Sequence, residues 1–451
     1  MSLKTFLRGV HPFDGKALAK DSPIRRVQTT GEMVFPLSQH IGAPATPTVA
    51  PGDHVLMGQQ IAAPGGFVSA GICSSVSGTV RAIEPRTTII GETRDSIIID
   101  NDGKYEAIPG LGEKRDPSSL TPAQIRDIIR DAGIVGLGGA GFPTHVKLTT
   151  KDDSKVKYVI VNGAECEPYL NSDYRLMLER PEELLGGLKV ILSLFPNAEG
   201  VIGIEDNKPE AIRLLTEKTA SEPRIHVEAL KTKYPQGGER MLIHAITGQD
   251  INSSMLPFDA GCIVNNVATV IAVYQAVCCS TPLINTVMTI TGDAVKSPCN
   301  LEVPIGCSHK EVLEAAGGFS AQPEKLISGG PMMGTAMYTL DIPVQKTSSS
   351  ILAFVEDPVA DNPSSPCIHC GRCVQACPER LVPQMMQVAA DNDNFEWFEK
   401  LGGMECIECG CCTIVCPAHR TLTQSFKYGK TSVNRLRREA QAKAAAEKSA
   451  K

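Results

Sequence analysis

No stretch of this chain reaches the ~18 uninterrupted apolar residues that a membrane-spanning helix needs. The nearest, residues 267–277, is broken by Thr269, Tyr274 and Gln275 and reads as a buried helix. The first fifteen residues lack the apolar core of a secretory signal. An excess of positive charge is missing too. The chain has 44 basic against 50 acidic residues, a net charge of −6, and no basic stripe interleaved with aromatics, which excludes nucleic acid as the main partner.

What is present is a soluble-type composition, 42% hydrophobic and 21% charged, over 451 residues. That length calls for two to four domains. Sixteen cysteines are many, and nine of them fall after residue 366 in the spacing of metal ligands. Such use of cysteine points to a reducing, cytoplasmic compartment.

The texture changes along the chain. Residues 1–115 carry short apolar alternations punctuated by Gly and Pro. Residues 49–61 read as strand, turn, strand, and Ser77-Gly78-Thr79-Val80 opens another strand. This part resembles a barrel-sandwich hybrid of the biotinyl/lipoyl type. No lysine lies between Lys20 and Lys104 to carry a swinging arm, so a structural docking module is expected. From 116 to 285 helix and strand alternate: a helix from Thr121-Pro122 with Ile125, Ile128 and Ile129 on one face, a strand at 157–161, and a helix at 182–195. A strand at 200–204 and a helix at 209–219 continue the alternation, giving an α/β domain. Residues 286–347 form a smaller β-rich unit. The stretches 348–350 and 357–366 read as linker, 360–430 hold the cysteine runs, and 431–451 are a basic, Ala-rich tail read as a solvated helix.

Cys367-x2-Cys370-x2-Cys373-x3-Cys377-Pro378 is followed by Cys406-x2-Cys409-x2-Cys412-x3-Cys416-Pro417. This is the pattern of two-cluster bacterial ferredoxins. Two residues between ligands let a tight loop aim three thiolates at one cube, and the cysteine before Pro ligates the other cluster. One 4Fe–4S cluster is therefore assigned to Cys367, Cys370, Cys373 and Cys416, the second to Cys377, Cys406, Cys409 and Cys412. Zinc prefers one site made from two separated pairs. Cys411 is an extra thiol expected to pack rather than ligate. Gly371 and Gly410 offer backbone N–H groups to the sulfurs. The stretch 383–400 between the runs reads as a helix plus loop.

A second feature is Gly133-Ile-Val-Gly136-Leu-Gly138-Gly139-Ala-Gly141-Phe142-Pro143-Thr144. It matches G-x-G-x-x-G by letter, but it follows a helix where a dinucleotide fingerprint follows a strand. On local sequence it reads equally as a phosphate or flavin cradle with Lys147 nearby, or as a tight turn. Three more segments join it: Asn162-Gly-Ala-Glu165-Cys166-Glu167-Pro168, Tyr234-Pro-Gln-Gly237-Gly238-Glu239 and Asn265-Asn266-Val267. They supply amides that can read ring atoms and carboxylates that can accept ribose hydroxyls.

Taken in order, these segments resemble the flavin- and NADH-binding subunit of respiratory complex I. With His11-Pro12-Phe13-Asp14-Gly15-Lys16 and the paired cysteine runs, residues 5–430 resemble the RnfC family, which belongs to the Rnf ion-translocating ferredoxin:NAD oxidoreductase complex. The resemblance implies a multidomain α+β chain. Its parts are a barrel-sandwich-hybrid β module, an α/β flavin-nucleotide domain, a soluble-ligand-binding β-grasp unit around Glu302-Val303-Pro304-Ile305-Gly306, and a ferredoxin-like helical domain. It implies noncovalent FMN held by Gly136, Gly138, Gly139, Gly141, Lys147, Asn162, Asn265 and Asn266. Phe142, Glu165, Glu167 and Glu239 would line the nicotinamide pocket. Complex I differs in having Arg at the place of Leu137, Asp at Ala164, an aromatic near Thr150 and Glu at Gly238.

The expected function is that of a peripheral electron-transfer subunit on the cytoplasmic face of the membrane. It would pass electrons between NAD(H), FMN and two clusters, with other Rnf subunits and a ferredoxin-linked electron-transfer protein as partners. The alternatives are a soluble flavin/iron–sulfur reductase serving cobalamin or another acceptor, and a non-catalytic cluster-bearing scaffold.

Overall fold

The computed structural model describes residues 3–449. The chain divides into two compact units. One comprises the residues up to Lys4, Phe13–Thr232 and Pro257–Glu356; the other comprises Thr5–Pro12, Lys233–Leu256 and the described residues from Asp357 on.

In the first unit, the N-terminal module has two antiparallel sheets. The larger is ordered Glu32–Pro36, Thr93–Asn101, Gly78–Thr87, His54–Val55; the smaller is Thr46–Pro47, Gln60–Ala63, Ile72–Cys73. Met33, Phe35, Val55, Ile61, Ile97 and Ile99 fill the space inside. Their core runs on into a six-stranded sheet ordered Ile24–Arg26, Cys299–Pro304, Asn285–Thr291, Ser350–Phe354, Lys325–Ser328, Thr335–Ala336. This sheet is the β-grasp unit with two additions, a strand from the N-terminal segment and one from beyond residue 347. The reading of 348–350 as linker is corrected here. Ser348 and Ser350 are buried, and Ser350 opens a strand that pairs with Thr289.

The α/β part opens as its sequence dictates. Thr121 caps the helix Pro122–Asp131 in a capping box with Gln124, and Ile125 and Ile129 point into the core. Four parallel strands follow, in the spatial order Ile225–Leu230, Glu199–Glu205, Tyr158–Gly163, Cys262–Asn266. Their Val- and Ile-rich runs are buried, as parallel strands covered on both faces require. The helix Val267–Cys279 is buried along most of its length. It crosses the helix Pro181–Ser193 so closely that a Cβ on Gly187 would lie 2.0 Å from the Val270 carbonyl oxygen.

The second unit is helical. Pro383–Asp391, Phe395–Lys400 and Leu422–Ser449 pack through Met386, Ala389, Ala390, Phe398, Leu422, Phe426 and Val433. The helix Glu239–Thr247 belongs to this unit rather than to the parallel sheet. Arg240 pairs with Glu405 at 3.1 Å and with Glu379 at 3.4 Å, and Arg8 donates to the Val374 carbonyl at 2.7 Å. From Arg435 to Ala444 the last helix is exposed. Among the described residues no helix is long and apolar enough to cross a membrane.

Candidate functional site

The parallel sheet creates a crevice by its topology. The chain builds strands outward from Tyr158–Gly163, then returns to lay Cys262–Asn266 on the other side of it. The strand order reverses between these two, and ligands of open α/β sheets bind outside the carboxyl ends of strands at such a point. Asn162 and Asn266 are direct register partners there. The glycine loop arrives at the same place. Gly138 has φ +73°, and a Cβ on it would sit 3.0 Å from the Asn266 amide nitrogen. Gly136 N–H donates to the Phe142 carbonyl at 2.8 Å, closing the loop and leaving Gly138, Gly139 and Ala140 exposed at its tip. Lys147 donates to the Val264 carbonyl at 2.8 Å, beside Asn265. Asn266 caps the helix that follows, accepting from Ala268 N–H at 2.8 Å.

The carboxylates on the strand-exit loop are engaged by the protein. Glu165 accepts from Asp173 N–H at 2.9 Å and from the Ser172 hydroxyl at 3.3 Å, anchoring the start of the helix Ser172–Glu179. Glu167 accepts from Met333 N–H at 2.9 Å and Met332 N–H at 3.2 Å, and burial pushes its carboxyl up to about 7. Each carboxylate oxygen retains a second acceptor site. Glu239 stands in the first turn of Glu239–Thr247, in the second unit, and is exposed. Phe142 is half-buried.

Sequence reasoning passed over the charges beneath this crevice. Lys16 is buried and donates to the Glu167 and Leu170 carbonyls at 2.9 and 2.5 Å, and burial lowers its pKa. Lys208 pairs with Glu205 at 3.2 Å, both nearly inaccessible. Asp173 accepts from the Asn266 amide at 2.6 Å, and burial, followed by the nearby Glu165 charge, raises its pKa. The position of Lys16 at the end of the 11–16 segment was a signal for it; Asp173 and Lys208 left none.

The donor set fits a flavin mononucleotide. Both amide atoms of Asn265 are buried with no hydrogen-bond partner among the described residues, and a Cβ on Gly139 would meet only open space. An amide with a free donor and a free acceptor suits a ring edge that presents both.

In the second unit the two cysteine runs repeat one backbone. His369 and Glu408, Gly371 and Gly410, and Arg380 and His419 all adopt positive φ at equivalent places. These turns draw the sulfurs into two groups. Cys367, Cys370, Cys373 and Cys416 line one cavity with about 420 Å³ of empty space, part of it open to solvent. Cys377, Cys406, Cys409 and Cys412 line another of about 350 Å³. Among the described residues no three His, Cys, Asp or Glu side chains are grouped as for a single metal ion. Four sulfurs set around a space suit a cube. Leu381 N–H and Glu408 N–H point at the sulfurs of Cys377 and Cys406, both at 3.4 Å. Cys411 is fully buried, its thiol 3.9 Å from the Tyr234 carbonyl.

Known proteins resemble the chain over most of its length. It is 44% identical over 394 residues to the RnfC-type subunit of the proton-translocating ferredoxin:NAD(+) oxidoreductase complex of Clostridium ljungdahlii, covering 87% of this chain and 86% of that protein. It is 42% identical over 434 residues to the corresponding subunit of the Na(+)-translocating complex of Acetobacterium woodii, 96% of this chain and 98% of that one. The chain belongs to the RnfC family of ion-translocating ferredoxin:NAD oxidoreductase subunits.

Within it, residues 4–104 match the RnfC barrel sandwich hybrid domain, 129–275 the Nuo51 FMN-binding domain, 287–336 the SLBB domain and 359–417 the 4Fe-4S dicluster domain. The resemblance and the multidomain α+β class read from the sequence are thereby established. FMN and 4Fe–4S clusters are the cofactors of such an oxidoreductase subunit, and NAD(H) is its substrate. The NAD+-reducing [NiFe]-hydrogenase in its air-oxidized state shares the fold, with a TM-score of 0.50 and 23% identity. The match covers 64% of this chain and a little over half, 56%, of that one.

Proposed function

We propose that this chain is the NAD(H)-facing electron-transfer subunit of a membrane-bound ion-translocating complex, held peripherally on its cytoplasmic face. The observation that carries the reading is the meeting of the glycine loop with Asn162, Asn265 and Asn266 at the reversal of strand order, in a chain that also frames two four-sulfur cavities. Gly136, Gly138, Gly139 and Gly141 admit the flavin by their missing side chains. Asn162, Asn265 and Asn266 read its ring, and Lys147 balances its phosphate. FMN, once bound, exchanges a hydride's two electrons with the nicotinamide and passes them on singly. Phe142 supplies a face for an aromatic ring, and Glu165, Glu167 and Glu239 supply acceptors for ribose hydroxyls.

The eight cysteines other than Cys411 in the two runs hold the clusters in the groups given above. Ion movement falls to other subunits of the complex.

A carboxylate suits an unmodified ribose hydroxyl and repels a 2′-phosphate, so NADH is favoured over NADPH. Anaerobic stopped-flow bleaching of bound flavin by each cofactor is the test. Glu167→Gln should weaken NADH use roughly ten- to a hundredfold, the loss of one charged hydrogen bond of about 1.5–3 kcal/mol. Equal rates with NADPH and an unaffected variant would place the nicotinamide elsewhere. No bleaching by either would favour a scaffold.

A further inference from the structure

Lys346 is a lysine without a carboxylate. It is about 1% exposed, and its ammonium donates to the Gly71 carbonyl at 2.5 Å and the Gly133 carbonyl at 2.7 Å. Its own backbone N–H is held by the Gln39 side chain at 3.1 Å. Gly133 is where the chain leaves the helix Pro122–Asp131 to enter the glycine loop, and Gly71 belongs to the N-terminal β module. The approach is tight. Gly133 has φ +70°, and a Cβ there would lie 2.3 Å from the Gly71 oxygen and 2.8 Å from the Lys346 ammonium.

The far end of the loop meets the same two segments. A Cβ on Gly141, at φ +71°, would lie 3.0 Å from Thr347 Cγ2 and 3.2 Å from the Gln39 carbonyl oxygen. Both ends of the loop are thus fixed by residues 39–41 and 71 of the β module and by Lys346-Thr347. A module with no lysine to serve as a carrier arm has another use here.

We infer that Lys346 is a positioning residue for the flavin: it locks the glycine loop onto the N-terminal β module, and its ammonium, balanced by no carboxylate, favours the anionic mononucleotide. The inference rests on the flavin-site reading. A buried cation in a low-dielectric interior acts over longer distances than an exposed one. Burial brings Lys346 down to about 8, within reach of titration. The groups that face it do not titrate there. Cys73 is pushed up to about 12 by burial, His40 and His145 are pushed down by it, and Asp131 is a carboxylate.

The sign follows. Below about pH 8 the ammonium is charged and supports the loop and the anion. Above it the charge and one donor are lost, so affinity falls as pH rises.

The test is a fluorescence titration of flavin-stripped full-length protein with FMN between pH 6.5 and 9.5, with iron content and thermal unfolding as controls on folding. Wild type should bind more weakly as pH rises through about 8. Lys346→Met should bind about tenfold or more weakly at pH 7 and show no break. A flat wild-type profile overturns the inference without any variant, as does a Met variant that binds FMN like the wild type. Wild type that takes up no FMN at any pH sinks the flavin-site reading itself.

Discussion

The two sulfur-lined cavities share a backbone and differ in what surrounds them. The cavity of Cys367, Cys370, Cys373 and Cys416 has Arg372, Arg420, His369, Gln384 and Gln387 at its walls, and Cys370 is exposed. That of Cys377, Cys406, Cys409 and Cys412 is walled by Leu381, Met386, Ile407 and Phe426, with Glu379 and Glu408, and three of its four cysteines are buried. One is wet and cationic, the other drier and carboxylate-bearing. Ligand spacing therefore decides that a cluster forms, and the residues between ligands decide what kind of carrier it is. Reduction adds negative charge to an anionic cluster, which cations and water favour and dry, acidic surroundings oppose. The exposed cluster should hold electrons more tightly, and it is the one a partner can approach.

The largest effect expected is on content and stability together. Cys409→Ser and Cys370→Ser should each take iron from about eight to about four per chain in anaerobic preparations. Only the Cys409 change should also lower the melting temperature by several degrees, because its cavity adjoins the core of Met386 and Phe426. Equal melting shifts would erase the contrast between the cavities. Next comes potential. In an EPR-monitored redox titration, Arg420→Gln should move only the higher-potential cluster, downward by tens of millivolts, and Glu379→Gln only the lower, upward. A swap of these responses would reverse the comparison. The smallest effect belongs to Cys411→Ser. Iron should stay near eight, with a stability cost of about 1–3 kcal/mol for putting a hydroxyl in its buried place, read by denaturant unfolding.

The cysteine runs were legible because their chemistry is local: a ligand two residues from the next needs only a turn. The crevice was not. That Asn162 and Asn266 become partners depends on strand order, and on a return of the chain that no local pattern encodes. Family resemblance supplied what periodicity could not. Three serines at 348–350 read as linker by composition, yet partner strands on both sides make Ser350 core. Buried Lys16, Lys208 and Lys346 escaped for a related reason. A lysine is expected outside, and only the carbonyls and carboxylates folded around these three show otherwise.

The six-stranded sheet ties the beginning of the chain to its later third. Ile24–Arg26 forms the edge strand beside Cys299–Pro304, and Asn300 donates to the Ala19 carbonyl at 2.8 Å across 281 residues of sequence. During synthesis at roughly 5–20 residues per second, that edge strand waits tens of seconds for its neighbour to leave the ribosome. The N-terminal module can fold early around its own two sheets. The segment just before it stays an unpaired strand until the β-grasp unit is made, so the last step of assembly is performed by some of the first residues translated.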